Sequence, residues 1–378
     1  MYQELFDNIK ELKKNSTIAV AVSGGIDSLS LTLIANEWCK KNGIKLIAIT
    51  VDHLLRKSST EEALYINSLL KSYDIEHHIL TWDGEKPKNN IENIAREARY
   101  NLMFDFCRKN NINTILLAHH IQDQAENFII RLFRGSGIKG LSSMNIISYR
   151  NDFCIIRPFL NITKEELKKY LENKNIKWIE DESNSDERYL RNKIRAFLNS
   201  FPDKKNIINR INETVKTLQL AENIIKKNIL DLDGKVYNYN KYFDYYIINI
   251  EEFYKIEEEL QLRILSKISK LIGQTKNSAR VEKIQRLLEI FKDIKKYTFN
   301  HCIFEKINSN QIICFREYNS IKNKEGYLKI GEFNNYFKFL KEQDYKKYKL
   351  IKNLKGYKKE IVYTIPIEDL KTKKFDLL

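Results

Sequence analysis

Thr17-Ile18-Ala19-Val20-Ala21-Val22 runs straight into Ser23-Gly24-Gly25-Ile26-Asp27-Ser28, and Leu29–Lys41 follows with helical periodicity. A short apolar run rich in β-branched residues reads as a strand buried on both faces. The two glycines let the chain turn sharply and bring backbone N–H groups close to an anion. The helix behind them offers unpaired N–H donors and a partial positive charge at its first turn. Ser23 and Ser28 add hydroxyls, while Asp27 is placed to hold Mg²⁺ or to cap the helix. The stretch therefore reads as a strand–turn–helix phosphate cradle. It is neither G-x-x-x-x-G-K-[ST] nor G-x-G-x-x-G. The plainer alternative is an ordinary Ser/Gly turn with Asp27 as N-cap.

Working outward, residues 1–135 alternate short apolar runs with helical patterns. Strands are expected at Thr17–Val22, Lys45–Val51, His77–Thr81 and Thr114–Ala118. Helices are expected at Leu29–Lys41, Thr60–Tyr73, Asn90–Lys109 and Asp123–Phe133. Four strand-to-helix units imply a doubly wound parallel α/β sheet with right-handed crossovers and ligands at the carboxyl ends of the strands. Arg134–Leu141, with three glycines, reads as a mobile loop. A strand at Cys154–Pro158 and helices at Lys164–Lys174 and Asn206–Leu230 come next. Ile247–Lys296 is largely helical by its 3.6-residue period, and short alternating runs from Tyr297 onward predict a small β-rich end. The chain thus divides into a catalytic domain at 1–202, a mainly helical domain at 203–296 and a β-rich C-terminal domain at 297–378.

The 378 residues carry 65 Lys+Arg against 50 Asp+Glu, a formal net charge of +15. That excess suits a polyanionic partner, although a lysine-rich proteome would give the same number. The five cysteines are scattered with no C-x-x-C pair, which argues against a disulfide scaffold or a structural zinc site. The N-terminus lacks a leader pattern, and no run reaches the ~20 apolar residues that span a bilayer. A soluble, cytoplasmic protein without a membrane partner is expected.

The Ser23–Ser28 hexapeptide resembles the SGGxDS loop of N-type ATP pyrophosphatases, the PP-loop enzymes, which cradles pyrophosphate. Further segments follow in order: Val51-Asp52-His53, Asn90-Ile91-Glu92, Ala95–Tyr100, Ala118-His119-His120, Asp123–Glu126, Arg131–Gly137, Arg157-Pro158, Glu180–Asn184 and Arg188–Arg195. Together, over residues 17–200, these resemble the ordered motif set of the tRNA(Ile)-lysidine synthases. The resemblance implies a ligase that forms a carbon–nitrogen bond in two steps. ATP, with Mg²⁺, adenylates C2 of the wobble cytidine of an isoleucine tRNA with a CAU anticodon. The ε-amine of free L-lysine then displaces AMP, changing the tRNA's specificity from methionine to isoleucine. A homodimer is a further expectation from the family.

The same resemblance assigns residues. ATP is expected on Ser23, Gly24, Gly25, Ile26, Asp27, Ser28, His53, Arg99 and His119. Asp27, Asp123 and Glu126 are the catalytic set, with the metal on Asp27 and Asp123. Asp123 and Glu126, three apart on one helix face, suit a lysine ammonium. Arg188, Arg191, Asn192 and Arg195 are candidates for the tRNA. Each has a plainer alternative: a hydrogen-bonded strand-end histidine, a solvent-facing Arg96/Arg99 pair, a helix-start charge pair, a solvated basic stripe. The segment Phe337–Lys359, with nine lysines among tyrosines and phenylalanines, suits RNA or a charged domain face. Two departures stand out: Gln122 where the family usually has aspartate, and Leu54 where it commonly has glycine. The competing readings are a PP-loop tRNA thiolase, which needs a reactive cysteine, and a catalytically silent tRNA-binding protein.

Overall fold

The computed structural model describes residues 2–52, 54, 59–82, 91–180, 190–240 and 244–321. The chain divides into two compact units, Met1–Glu222 and Asn223–Leu378.

In the first unit a short α1 (Tyr2–Asp7) precedes β1 (Thr17–Ala21), α2 (Ile26–Lys41), β2 (Lys45–Asp52), α3 (Ser59–Ser72) and β3 (Glu76–Thr81). Then come α4 (Ile91–Lys109), β4 (Thr114–Leu116), α5 (Ile121–Phe133), α6 (Ile138–Leu141), β5 (Ile147–Arg150), β6 (Phe153–Ile156), α7 (Lys164–Asn173) and α8 (Leu190–Asn199). The long α9 (Lys204–Asp231) contains the division between the units. The sheet order is β3-β2-β1-β4-β6-β5. All neighbours are parallel except the β5–β6 edge hairpin.

The central strands are mostly apolar because both faces are covered. On one face Ile18, Val20, Ala48 and Leu116 pack with Leu29, Leu33, Trp38, Ile66 and Leu167; on the other, Ala19, Ile47, Ile49 and Ile115 meet Tyr100, Met103, Phe104 and Cys107. α2 is buried nearly all round, so its polar groups find local partners. Ser30 Oγ donates to Leu167 O at 3.2 Å and Thr32 Oγ1 to Ser28 O at 2.8 Å.

The second unit holds an antiparallel sheet in the order β7-β8-β11-β10-β9. Its strands are β7 (Tyr237–Asn240), β8 (Tyr245–Asn249), β9 (Lys296–Phe299), β10 (Cys302–Asn308) and β11 (Gln311–Arg316). Helices α10 (Ile250–Tyr254), α11 (Glu258–Ile272) and α12 (Val281–Ile290) share one core with it: Ile264, Ile268 and Leu287 pack with Ile248, Phe304 and Cys314. The helical stretch and the strands on both sides of it therefore form one body around this shared core. The basic stretch Phe337–Lys359 lies outside the described residues.

Arg134–Leu141, expected as a mobile loop, contains the single-turn helix α6 and is tied down after it. Gln124 donates to Met144 O at 2.7 Å and accepts from Met144 N at 3.0 Å, while Asn127 Nδ2 donates to Ser143 Oγ at 2.7 Å. Among the described residues no helix is long and apolar enough to cross a membrane.

Candidate active site

From β1 the chain lays β2 and β3 on one side, then returns to place β4 on the other. The connections leaving the carboxyl ends of β1 and β4 therefore diverge, and doubly wound sheets bind ligands in the crevice that opens there. Ser23–Gly25 leaves β1 on one side of it and Ala118–His120 leaves β4 on the other.

The first loop is held by its own serines. Ser23 N donates to Ser28 Oγ at 3.1 Å, the two hydroxyl oxygens lie 3.2 Å apart, and Ser28 Oγ donates to Gly25 O at 3.1 Å. Gly24 has φ +86°, a left-handed conformation that side chains resist, and a Cβ there would lie 2.6 Å from Ile179 Cδ1 and 2.7 Å from Ile66 Cδ1. Its carbonyl accepts from Ile179 N at 2.9 Å. Gly25 is different: φ is −73° and the nearest atom to a Cβ is 3.9 Å away. Gly24 is required by the fold, whereas Gly25 leaves open space at the first turn of α2.

Across the crevice His120 caps α5. Its Nδ1 accepts from Asp123 N at 3.3 Å and its own N–H donates to Asp123 Oδ2 at 3.1 Å. With Nδ1 engaged as acceptor, Nε2 carries the ring proton. Nε2 lies 3.5 Å from Asp27 Oδ2 and 3.5 Å from Asp123 Oδ2. Burial disfavours the charged form of His120, but the carboxylates of Asp123, Asp27 and Glu126 outweigh it and raise its basicity. For Asp123 burial opposes ionisation, yet His120, Arg191 and His119 together bring its carboxyl down to about 2. Asp27 Oδ1 is buried and has no hydrogen-bond partner among the described residues. A buried oxygen of this kind fits a cation or a donor brought by substrate.

Asp123 and Glu126 share one face of α5, as their spacing requires, and that face meets α8. Arg191 Nε donates to Glu126 Oε2 at 2.8 Å and Arg195 Nε to Glu126 Oε1 at 2.7 Å; Arg191 Nη2 also reaches Asp123 Oδ1 at 3.3 Å. Glu126 is only 3% exposed, so its charge depends on those two guanidinium groups. The residues expected to grip lysine and those expected to grip RNA are thus in direct contact. The packing of Ile121, Ala125 and Ile129 against Ile194 and Leu198 sets the two helices in this register. Asn192 lies half-buried on α8.

A cationic patch borders these groups. Burial holds His119 down to about 3, and Arg157, Arg96 and Arg191 oppose its protonation further. Burial, followed by the like charges of Arg96 and Arg191, loosens Arg99's hold on its proton. Arg157, 8% exposed, donates to Asn145 O at 3.2 Å and Ser148 Oγ at 2.8 Å, leaving a buried Nε without a partner among the described residues. Arginines packed this closely call for an anion. Arg157 was visible as Arg157-Pro158 at a strand's carboxyl end, yet only burial singles it out.

Both departures have local explanations. Gln122 turns away from the crevice: its Nε2 donates to Glu165 Oε2 at 3.0 Å and its Oε1 accepts from Lys164 N at 3.2 Å. Leu54 has φ +50°, which is why a glycine suits that position. Asp52 holds the turn, accepting from Leu54 N at 2.9 Å, Ser59 Oγ at 2.7 Å and Thr60 Oγ1 at 2.8 Å. His53 and Arg188 lie outside the described residues.

Comparison with known proteins agrees with this geometry. Residues 1–201 match the PP-loop domain family. The tRNA(Ile)-lysidine synthase of Rickettsia felis is 38% identical over 328 residues, 84% of this chain and 74% of that protein. The chain belongs to the tRNA(Ile)-lysidine synthase family. The Orientia tsutsugamushi member is 35% identical over 316 residues, covering 81% of this chain and 71% of its own length. A solved U34-tRNA thiolase from Methanococcus maripaludis overlaps 57% of this chain and 78% of its own, at 18% identity and a TM-score of 0.48.

Proposed function

We propose that this chain carries out the reaction for which its relatives are named, joining L-lysine to C2 of the wobble cytidine of a CAU-anticodon isoleucine tRNA at the expense of ATP. The observation that carries the proposal is the meeting of Asp27, His120 and Asp123 across the crevice, flanked by the PP-loop and the arginine patch.

The chemistry asks the protein chiefly for placement and charge neutralisation. In the first step the cytidine O2 attacks the α-phosphorus and pyrophosphate leaves. Backbone N–H groups around Gly24–Asp27, with Ser23 and Ser28, would receive the departing phosphates, and Arg99, Arg157 and His119 would face the rest of the triphosphate. In the second step the lysine ε-amine, protonated at neutral pH, must lose a proton before it attacks C2 and expels AMP. Asp123 and Glu126 are the carboxylates at hand to hold that ammonium. Arg191, Asn192 and Arg195 would meet the anticodon base and its phosphate. Residues 203–378 are proposed to grip the remainder of the tRNA.

Mg²⁺ fits this site. No three His, Cys, Asp or Glu side chains converge as a closed metal cage among the described residues. An ion that takes one or two carboxylates and completes its shell with water and phosphate oxygens needs no such cage. Asp27 and Asp123 would hold it, and it would neutralise the pyrophosphate charge.

The thiolase alternative loses support because all five cysteines are buried, and burial pushes the Cys39 and Cys107 thiols up to about 12. The deciding experiment is transfer of radiolabelled lysine to a CAU-anticodon isoleucine tRNA transcript, with and without ATP, and with Asp27→Ala. ATP-dependent labelling that Asp27→Ala abolishes supports the reading. No labelling with tight tRNA binding would make the chain a silent RNA binder. A cytoplasmic location and a homodimer belong to the same proposal.

A further inference from the structure

Two adjacent histidines leave β4, and only His119 was expected to serve the site. His120 is 4% exposed and sits at the N-cap of α5. A position chosen for capping alone takes Ser, Thr, Asp or Asn. Histidine is unusual there, and what it adds is a second nitrogen on the far side of the ring. That nitrogen faces both carboxylates at 3.5 Å, while Asp27's other oxygen, Oδ1, is buried without a partner among the described residues.

We propose that His120 is a positioning residue: the cap on Nδ1 aims its Nε2–H at Asp27 and Asp123, fixing the two carboxylates across the crevice so that Asp27 Oδ1 faces the nucleotide side. The inference rests on the proposed role of Asp27 in the ATP step. Several features concur. The cap fixes the tautomer, since the Asp123 N–H occupies the Nδ1 lone pair. The reciprocal bond, from His120's backbone N–H to Asp123 Oδ2, holds the Asp123 carboxylate beside the ring. Among the described residues His120 is the side chain that meets the Asp27 carboxylate, so without the bridge that carboxylate would be free to choose another rotamer. Outer-shell partners that orient a ligating group commonly contribute about tenfold to a hundredfold to activity or affinity.

The two ring nitrogens can be separated by substitution. Asparagine reproduces the near acceptor and can cap the helix, but it does not reach Asp27. Glutamine places an amide donor near Nε2 and is a poor cap. The experiment measures urea unfolding and tRNA-dependent pyrophosphate release from ATP for the wild type, His120→Asn, His120→Gln and Asp27→Ala. The expected result is a double dissociation. His120→Asn unfolds at the wild-type midpoint but loses about tenfold or more in kcat. His120→Gln unfolds earlier yet keeps the larger share of kcat, with the KM for ATP little changed in either. Wild-type kcat in His120→Asn alongside an inactive Asp27→Ala would overturn the positioning role and leave the site assignment standing. Equal losses in both histidine variants, tracking their stability, would reduce His120 to a cap. Pyrophosphate release that survives in Asp27→Ala would remove the basis of both.

Discussion

Replacing each loop glycine by alanine separates what the fold needs from what the nucleotide needs. At Gly24 the φ of +86° would cost an L-residue about 1–2 kcal/mol. The new methyl would also overlap Ile179 Cδ1 at 2.6 Å and Ile66 Cδ1 at 2.7 Å. Both are ends of side chains, so the overlap can relax, but only into a packed core, at about 1–3 kcal/mol. The loop cannot rotate to escape without losing the Ile179 N–H bond onto Gly24 O. Gly24→Ala should therefore lose about 2–5 kcal/mol, which at ~2–4 °C per kcal/mol lowers Tm by about 10 °C. Gly25→Ala has an ordinary φ and no atom closer than 3.9 Å, so its Tm should stay at the wild-type value. Its methyl would instead stand where phosphate oxygens approach the first turn of α2, and ATP binding should fall tenfold or more, about 1.4 kcal/mol or above. Thermal unfolding followed by circular dichroism and ATP titration by calorimetry read the two effects separately. Gly25→Ala with unaltered ATP affinity, or Gly24→Ala with unaltered Tm, would refute the reasoning.

Glu126→Gln places an amide N–H₂ against one of two arginine Nε–H donors and removes the charge that both of them share. Stability should fall by about 1.5–3 kcal/mol in urea unfolding, and lysine transfer should drop further than tRNA binding does. Gln122→Asp should leave lysine transfer within about twofold of wild type, since residue 122 faces Glu165 and the start of α7 rather than the crevice; a large gain would contradict that placement. Acid should destabilise the fold in a defined window. Burial, and then His78, brings His77 down to about 4, and burial brings His119 to about 3, so both stay neutral in the folded state where the unfolded chain would protonate near 6.5. The unfolded state therefore binds more protons below that pH, and stability declines from about pH 6.5 towards 4. Urea midpoints across that range should show the decline, and His77→Gln should flatten it.

The α/β half of the molecule was legible because its strands are covered on both faces and so appear as apolar runs punctuated by glycine. The loop after β1 was equally plain, since its residue types follow from what a phosphate demands of a backbone. What escaped were contacts between segments far apart in sequence. Glu126 and Arg195 are 69 residues apart, and each lies on a helix whose spacing is compatible with an ordinary charged face. His120 could be placed at a strand end, but Asp27 becomes its neighbour only once β2 and β3 have gone to one side and β4 to the other. Gln122 was readable in hindsight, because consecutive helical residues point about 100° apart and cannot both face the crevice. The joining of β7 and β8 to the later strands was hidden by the three helices between them.

The crevice between β1 and β4 is proposed to activate cytidine with ATP and to deliver an amine to it. The most direct test incubates the protein with ATP, Mg²⁺, L-lysine and a CAU-anticodon isoleucine tRNA transcript, digests the RNA to nucleosides and determines their masses. A nucleoside with the mass of cytidine plus lysine less one water, formed with release of AMP and absent for Asp27→Ala, is the expected result. Unmodified cytidine despite bound ATP and tRNA, or a sulfur-bearing nucleoside once a sulfur donor is supplied, would contradict it.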